Sequence, residues 1–208
     1  MDKLIAGVKK FQTEVFPERK ALFDELATGQ DPRILFITCA DSRIDPVMLT
    51  QTTPGELFIC RNAGNIIPPH RSSTGGMTAS LEYAVSVLGV KDIILCGHSD
   101  CGAMKGALNY ESLNDLPHVQ DWLGHARGAL AATQARCQCS KTDMAQGEQL
   151  RMLTEENILQ QLQHLRTHPA VVAKLAIKEI RIHGWLYDIG TGEVFFGDEI
   201  TREFKRLV

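Results

Sequence analysis

The chain has 208 residues, six of them cysteine, and a formal charge of -3 at neutral pH. That length suits one domain with a substantial core, and the near-neutral balance supplies no positive field for a polyanion, which excludes nucleic acid as a partner. No stretch approaches the ~20 apolar residues of a membrane span, and the opening Met1-Asp2-Lys3-Leu4-Ile5 lacks the charged start and apolar block of a signal peptide, so no membrane partner is expected and the cytoplasm is the expected compartment.

Residues 3 to 27 are rich in helix formers, with Leu4, Val8, Phe11, Val15 and Phe16 as the apolar positions and an interruption at Pro17. The pattern predicts two helices or one broken one. Residues 1–27 therefore read as an amphipathic arm that packs on its own domain or across a partner subunit. After a turn at Asp31-Pro32, the run from Ile34 to Thr38 reads as a strand buried on both faces, as in parallel sheets. It ends in Cys39, Asp41 and Arg43, at the carboxyl end where open parallel sheets place their ligands. Val47 to Thr50 predicts a short helix and Glu56 to Cys60 a second strand, followed by a loop from Arg61 to Asn65. Ser73 to Gly76 open a helix that closes at Gly89. Asp92 to Gly97 is another buried strand, and it runs into His98-Ser99-Asp100-Cys101-Gly102.

Beyond that, Gly102 to Tyr110 predicts a short helix and Asn114 to Pro117 cap a longer one through about Ala135. The stretch Arg136 to Gly147 reads as a polar loop in which Cys137 and Cys139 are exposed thiols. Leu150, Leu153, Ile158, Leu162 and Leu165 mark an amphipathic helix stopped by Thr167-His168-Pro169. A strand from about Ile180 to Asp188 turns at Gly190-Thr191-Gly192 into Glu193 to Phe196, a terminal hairpin. The fold class is α/β: a mainly parallel sheet of about four strands with one antiparallel strand at the carboxyl end, flanked by helices, in a single domain over residues 1–208.

The chemistry concentrates at two strand ends. His98 and Cys101, spaced His-x-x-Cys, can reach one metal ion, and Cys39 on a neighbouring strand end can supply a third ligand; the alternative is a set of buried thiols beside a hydrogen-bonded core histidine. Two cysteines and one histidine suit zinc, and three protein ligands with an open position mark a catalytic rather than a structural ion. Asp41 and Arg43 beside them form either a surface ion pair or a functional dyad. Cys60 and Cys96 lie inside apolar strands and read as core. His118, His125, His164 and His168 fall on solvated helix faces or ends, Trp122, Trp185 and Tyr187 read as packing residues, and Asp100 as a structural turn residue.

The motif Cys39-Ala40-Asp41-Ser42-Arg43, paired with Gly97-His98-Ser99-Asp100-Cys101-Gly102, resembles the β-class carbonic anhydrases, and the resemblance runs through nearly the whole chain. The stretches from Leu57 to Asn65 and from His183 to Ile189 are most similar to the bacterial subgroup that includes the cyanate-operon enzyme. The resemblance implies reversible hydration of carbon dioxide to bicarbonate and a proton. It assigns one zinc ion per subunit to Cys39, His98 and Cys101, with hydroxide in the fourth position. Asp41 would accept a hydrogen bond from that hydroxide while Arg43 keeps Asp41 ionised and off the metal. The resemblance also makes Gln30 a donor to substrate, brings the Gly102 backbone N–H to the site, and makes Phe58 and Tyr83 walls of the pocket. Some of these come from a neighbouring subunit, which implies a homodimer or a dimer of dimers.

Ala63 stands where some relatives carry a larger residue, which would loosen the pocket wall. A non-catalytic bicarbonate pocket found in some relatives corresponds here to Phe36, Arg61 and Tyr187. Phenylalanine lacks the indole donor of that pocket, so bicarbonate inhibition is expected to be weak, with Arg61 bracing the loop that runs to Asn65. Two other functions fit the same ligands: hydrolysis of carbon disulfide or carbonyl sulfide, and bicarbonate binding without turnover. An intact Asp41 and Arg43 argue against the second.

Overall fold

The computed structural model describes residues 1–71, 75–140 and 144–208, the side chain of Ser140 excepted. It divides into two compact units, Met1–Asp31 and Pro32–Val208.

In the first unit, helix α1 (Asp2–Lys10) continues through wider turns at Phe11–Val15 and one more turn at Phe16–Glu18. The helix breaks at Arg19 and resumes as α2 (Lys20–Leu26). The break falls two residues after Pro17, at Arg19, whose backbone leaves the helical region at φ -110° and ψ 20°. Phe16 stacks on Phe23 at 5.1 Å and Phe11 meets the same ring edge-on at 5.7 Å, which pins the two helices together. Leu4, Ile5 and Val8 form an outer stripe, exposed to 68%, 60% and 57%.

The second unit is built on a six-stranded sheet. Its strands are β1 (Ile34–Cys39), β2 (Leu57–Asn62), β3 (Asp92–His98), β4 (Arg181–Tyr187), β5 (Val194–Gly197) and β6 (Phe204–Arg206), in the order β2-β1-β3-β4-β5-β6. The first four run parallel and the last two antiparallel. The predicted hairpin is present, and β6 adds a second antiparallel strand, three residues of charged and aromatic character too short to give an alternating signal. β2 is longer than its apolar run: it continues through Arg61 and Asn62 because the ladder with Thr38 and Cys39 holds that backbone extended.

Side chains alternate across β1 and β3 into two cores. Leu35, Ile37, Ile93 and Leu95 pack on one face, and Phe36, Ile94 and Cys96 on the other. Helices cover both. Those used below are α3 (Pro46–Thr50), capped by Asp45, α4 (Gly76–Glu82), α5 (Gly102–Leu108), α6 (Pro117–Leu123), α7 (Arg127–Ser140) and α8 (Gln146–Leu165). α8 lies against the face of Leu35 and Ile37 and approaches closely where the strands carry glycine. A Cβ on Gly97 would come within 2.9 Å of Ile158, and one on Gly184 within 2.9 Å of Ile158 and Leu162.

Three expectations need correction. The single helix predicted from Pro117 to Ala135 is two, α6 and α7, joined by a tight turn at Gly124–Ala126. The segment from Arg136 to Ser140 is the end of α7 rather than loop, so Cys137 and Cys139 lie on a helix; the cooperative backbone ladder overrides a run of weak helix formers. Pro169, read only as a stop signal, also starts a helix, Pro169–Ala176. The predicted helix start at Ser73 lies outside the described residues. No helix among the described residues is long and apolar enough to cross a membrane.

Candidate metal centre

The exits of β1 and β3 lie side by side, since Thr38 pairs with Cys96 and its hydroxyl donates to the Cys96 carbonyl at 2.8 Å. Cys39 is thereby set next to His98, the last residue of β3. The chain then turns through Asp100, which sits in the left-handed region at φ 58°, and returns as α5 with Cys101 at its N-cap. The return brings Cys101 Sγ to 3.9 Å from Cys39 Sγ. One ligating atom from each of Cys39, His98 and Cys101 lies within 4.8 Å of the others, and all three residues are buried.

Two observations bear on whether these residues fit a metal. His98 Nδ1 is hydrogen-bonded to the Ser99 carbonyl at 2.9 Å, which leaves Nε2 as the free ring nitrogen. Nε2 is buried without a hydrogen-bond partner, as is only one other side-chain polar atom among the described residues, Asn65 Nδ2. Burying such an atom unpaired is costly unless something ligates it. The thiols supply the second observation. Contact with Cys101 pulls the Cys39 thiol well below the usual cysteine range against the opposing effect of burial, helped by His98 and by the amides of Gly64 and Asp41. The same contact, together with burial, drives Cys101 the other way. One thiolate forms readily and the second needs a compensating cation. The donor set fits zinc.

Asp41 borders this triangle, its Oδ2 lying 3.8 Å from His98 Nε2, too far for a hydrogen bond. Arg43 grips it in bidentate fashion, with Nε on Oδ1 at 2.9 Å and an Nη on Oδ2 at 2.8 Å, and the Arg43 backbone N–H adds a bond to Oδ1 at 3.0 Å. That guanidinium holds the Asp41 carboxyl far below the usual carboxylate range. Arg43 is fixed in turn from outside: Asp100 takes its other Nη at 2.9 Å, the Asp100 carbonyl takes a further bond at 3.1 Å, and Lys105 pairs with Asp100 at 2.5 Å. Asp100 is thus a partner of the dyad as well as a turn residue.

Arg61 braces a different loop from the one expected. Its guanidinium donates to the carbonyls of Cys39, Asp41 and Ile44 at 3.0, 2.6 and 2.9 Å, so it ties the β1 exit together instead of the loop to Asn65. Phe36 is fully buried, edge-on to Trp185 at 6.2 Å.

The remaining expected site residues are spread out. Gly102 is the first residue of α5, next to Cys101. Gln30 belongs to the first unit, exposed beyond the end of α2. Phe58 and Tyr83 are within 6.0 Å of each other, but Phe58 packs with the core on the opposite face from Phe36. In register it lies opposite Leu35, four steps or about 13 Å from Cys39 along the strand. Within one chain this pair does not reach the three ligands. The part played by Gly64, the contact of Asp100 with Arg43 and the contacts of Arg61 with the β1 exit are not legible in the sequence. Only Gly64-Asn65, a pair suited to left-handed backbone, carried a local signal.

Residues 34–194 match the family model described as carbonic anhydrase. The chain is 46% identical over 207 residues to a carbonic anhydrase of Pseudomonas aeruginosa, covering 100% of this chain and 92% of that one. Among solved structures it is similar to the β-carbonic anhydrase CcaA at 42% identity, with a TM-score of 0.94 and coverage of 99% of this chain and 98% of the other. It is also similar to one of two tetrameric β-carbonic anhydrases of Sordaria macrospora at 30% identity, with a TM-score of 0.76 and coverage of 94% and 92%.

Proposed function

Since the chain belongs to the β-class carbonic anhydrases, we propose that it hydrates carbon dioxide reversibly to bicarbonate and a proton, with zinc held by Cys39, His98 and Cys101. The observation that carries the reading is the buried, unpartnered His98 Nε2 facing two thiols beside an arginine-locked carboxylate. When bound, zinc supplies a Lewis-acidic open position that brings the pKa of a coordinated water down to ~7.

The chain's own residues do the orienting. Asp41 Oδ1 accepts two N–H bonds from Arg43 and Oδ2 one, so the oxygen nearer His98 keeps acceptor capacity. An ionised carboxylate only accepts. A water beside it donates its O–H to Oδ2 and turns a lone pair toward the carbon of the substrate. Because Arg43 depresses Asp41 so far, Asp41 orients this water and does not carry its proton away. Burial of the three ligands excludes bulk water from their side, while the exposed Asp41–Arg43 side is where a small uncharged substrate enters.

Phe58, Tyr83, Gln30 and the Gly102 N–H complete the pocket in this reading, with the aromatic pair supplied by a second copy of the chain in a homodimer or a dimer of dimers. Support comes from the 43% exposure of Tyr83, from the uncovered apolar stripe of α1 and from the tetrameric relatives. The reading also assigns the chain to the cytoplasm, where Cys39 and Cys101 stay reduced and able to ligate.

Stopped-flow hydration of carbon dioxide by zinc-loaded protein tests the proposal. The expected result is a rate far above buffer at about pH 8, lost on chelation and restored by zinc. Fully loaded protein that adds nothing to the buffer rate overturns it.

A further inference from the structure

Helix α8 turns a stripe of polar residues inward. Asn157 and Gln161 are fully buried, His164 is half-buried, and His168, just past the helix end, is 2% exposed. Their spacing of four, three and four residues puts them on one face, and that face meets the backbone of the loop leaving β2. Asn157 Nδ2 donates to the Gly64 carbonyl at 3.0 Å, and Gln161 Oε1 accepts from the Ile67 N–H at 2.9 Å. His164 Nδ1 donates to the Ile67 carbonyl at 2.7 Å, and His168 Nε2 donates to the Pro68 carbonyl at 3.0 Å. Gln161 Nε2 also donates to Asn157 Oδ1 at 3.0 Å, which fixes the Asn157 amide with its NH2 toward Gly64.

The loop needs such a clamp. Gly64 and Asn65 are consecutive left-handed residues at φ 77° and 47°, a shape that persists only when its surroundings hold it. Gly64 also has no room for a side chain, since a Cβ would stand 3.0 Å from the Ala103 Cβ and 3.1 Å from Met104 Cε. Held in this way, Gly64 donates its backbone N–H to Cys39 Sγ at 3.3 Å. The residue is gripped at its carbonyl by Asn157 and at its N–H by the sulfur.

We propose that Asn157, locked by Gln161, is a positioning residue for the metal centre: through Gly64 it holds the N–H that fixes Cys39 Sγ, and so sets the affinity of a site it does not touch. The inference rests on the reading of Cys39, His98 and Cys101 as zinc ligands, and partners that orient a ligand in this way are typically worth about 10–100-fold in metal affinity.

Competition of zinc between the protein and a chromophoric chelator measures the affinity, and the sulfur-to-metal charge-transfer band of the cobalt form reports on the two thiolate ligands, Cys39 and Cys101, together. Asn157→Ala is expected to bind zinc about 10–100-fold more weakly with a shifted band. His168→Ala, which frees the same loop at Pro68 but leaves Gly64 gripped, is expected to lose stability and keep wild-type affinity and band. Wild-type affinity in folded Asn157→Ala overturns the inference, as does an equal loss in both variants, which would make the clamp a matter of general loop order. Should Asn157→Ala not fold, Gln161→Glu carries the test, because it keeps an acceptor for the Ile67 N–H and loses the amide donor to Asn157 Oδ1: weakened zinc binding supports the lock and wild-type affinity overturns it. Wild-type protein that binds no zinc removes the metal reading itself, an outcome separate from any of these.

Discussion

The two halves of the site are held by different physics. Cys39, His98 and Cys101 are 5%, 0% and 0% exposed and sit where the sheet and the α5 N-terminus leave them, so their geometry is a consequence of the core. Asp41, Arg43 and Asp100 lie in the adjoining turns with side chains 15%, 43% and 52% exposed, and charge pairing holds them in place. The buried half is rigid because moving it costs packing. The exposed half is held by hydrogen bonds that water and salt compete for. Ligation needs fixed distances and the orienting dyad needs access to substrate, so each requirement falls on the half whose physics suits it.

Breaking the buried half gives the largest effect. Cys101→Ser and His98→Ala each remove one of three protein ligands, and elemental analysis of purified protein is expected to find little zinc and no hydration above buffer. Near-stoichiometric zinc in Cys101→Ser would remove that residue from the ligand set. Breaking the exposed half is milder. Asp41→Ala is expected to keep its zinc and lose about 10²-fold in kcat, the order of loss when a reacting group is no longer held in position. Wild-type turnover in that variant would end the orienting role.

Glycines under α8 sharpen the contrast. Ala at position 97 or 184 puts a Cβ within 2.9 Å of Ile158, and overpacking of this kind costs about 1–3 kcal/mol. Urea unfolding of the metal-free proteins is expected to show that loss for both Gly97→Ala and Gly184→Ala. Only Gly97 adjoins His98, so zinc affinity is expected to fall in Gly97→Ala alone. Wild-type zinc affinity in Gly97→Ala would mean that the core does not set the ligand geometry.

The contrast also explains what could be read in the sequence. β1 and β3 were legible because strands buried on both faces are unbroken apolar runs, and their exits were legible because Cys39, Asp41, Arg43, His98 and Cys101 are unusual residues in short, fixed spacing. The network around them was not. Asn157, Gln161, His164 and His168 share a helix face by period, but polar residues on a helix look like a solvated face unless one knows that a loop of bare backbone lies opposite. His164 and His168, expected on solvated faces, are withdrawn from water, and burial lowers the pKa of both imidazoles. Arg61 gives no signal for the same reason: its three acceptors are carbonyls of a loop about 20 residues earlier, brought near by the β1–β2 ladder. Local pattern shows which residues travel together and is silent about which backbone they meet.

The smallest expected effect separates the layers within the exposed half. Asp100 touches neither the ligating atoms nor Asp41. It acts on Arg43, taking one Nη with its carboxylate and another with its carbonyl, while Lys105 holds the carboxylate from the far side. With Nε and an Nη committed to Asp41, the guanidinium is fixed in its plane by both partners. Asp100→Asn keeps the size and the carbonyl bond and removes the charge, so Arg43 stays bound to Asp41 but gains freedom to swing. Because the pair is about half exposed, the expected loss is about two- to fivefold in kcat, with zinc content and KM unchanged. Salt gives the diagnostic. Raising ionic strength screens the Asp100–Arg43 attraction in the wild type and has nothing to screen in the variant, so the gap between the two is expected to narrow as salt rises. A gap that stays constant from low to high salt would mean that Asp100 acts through turn geometry at φ 58°, where asparagine is equally at home, and not through its charge.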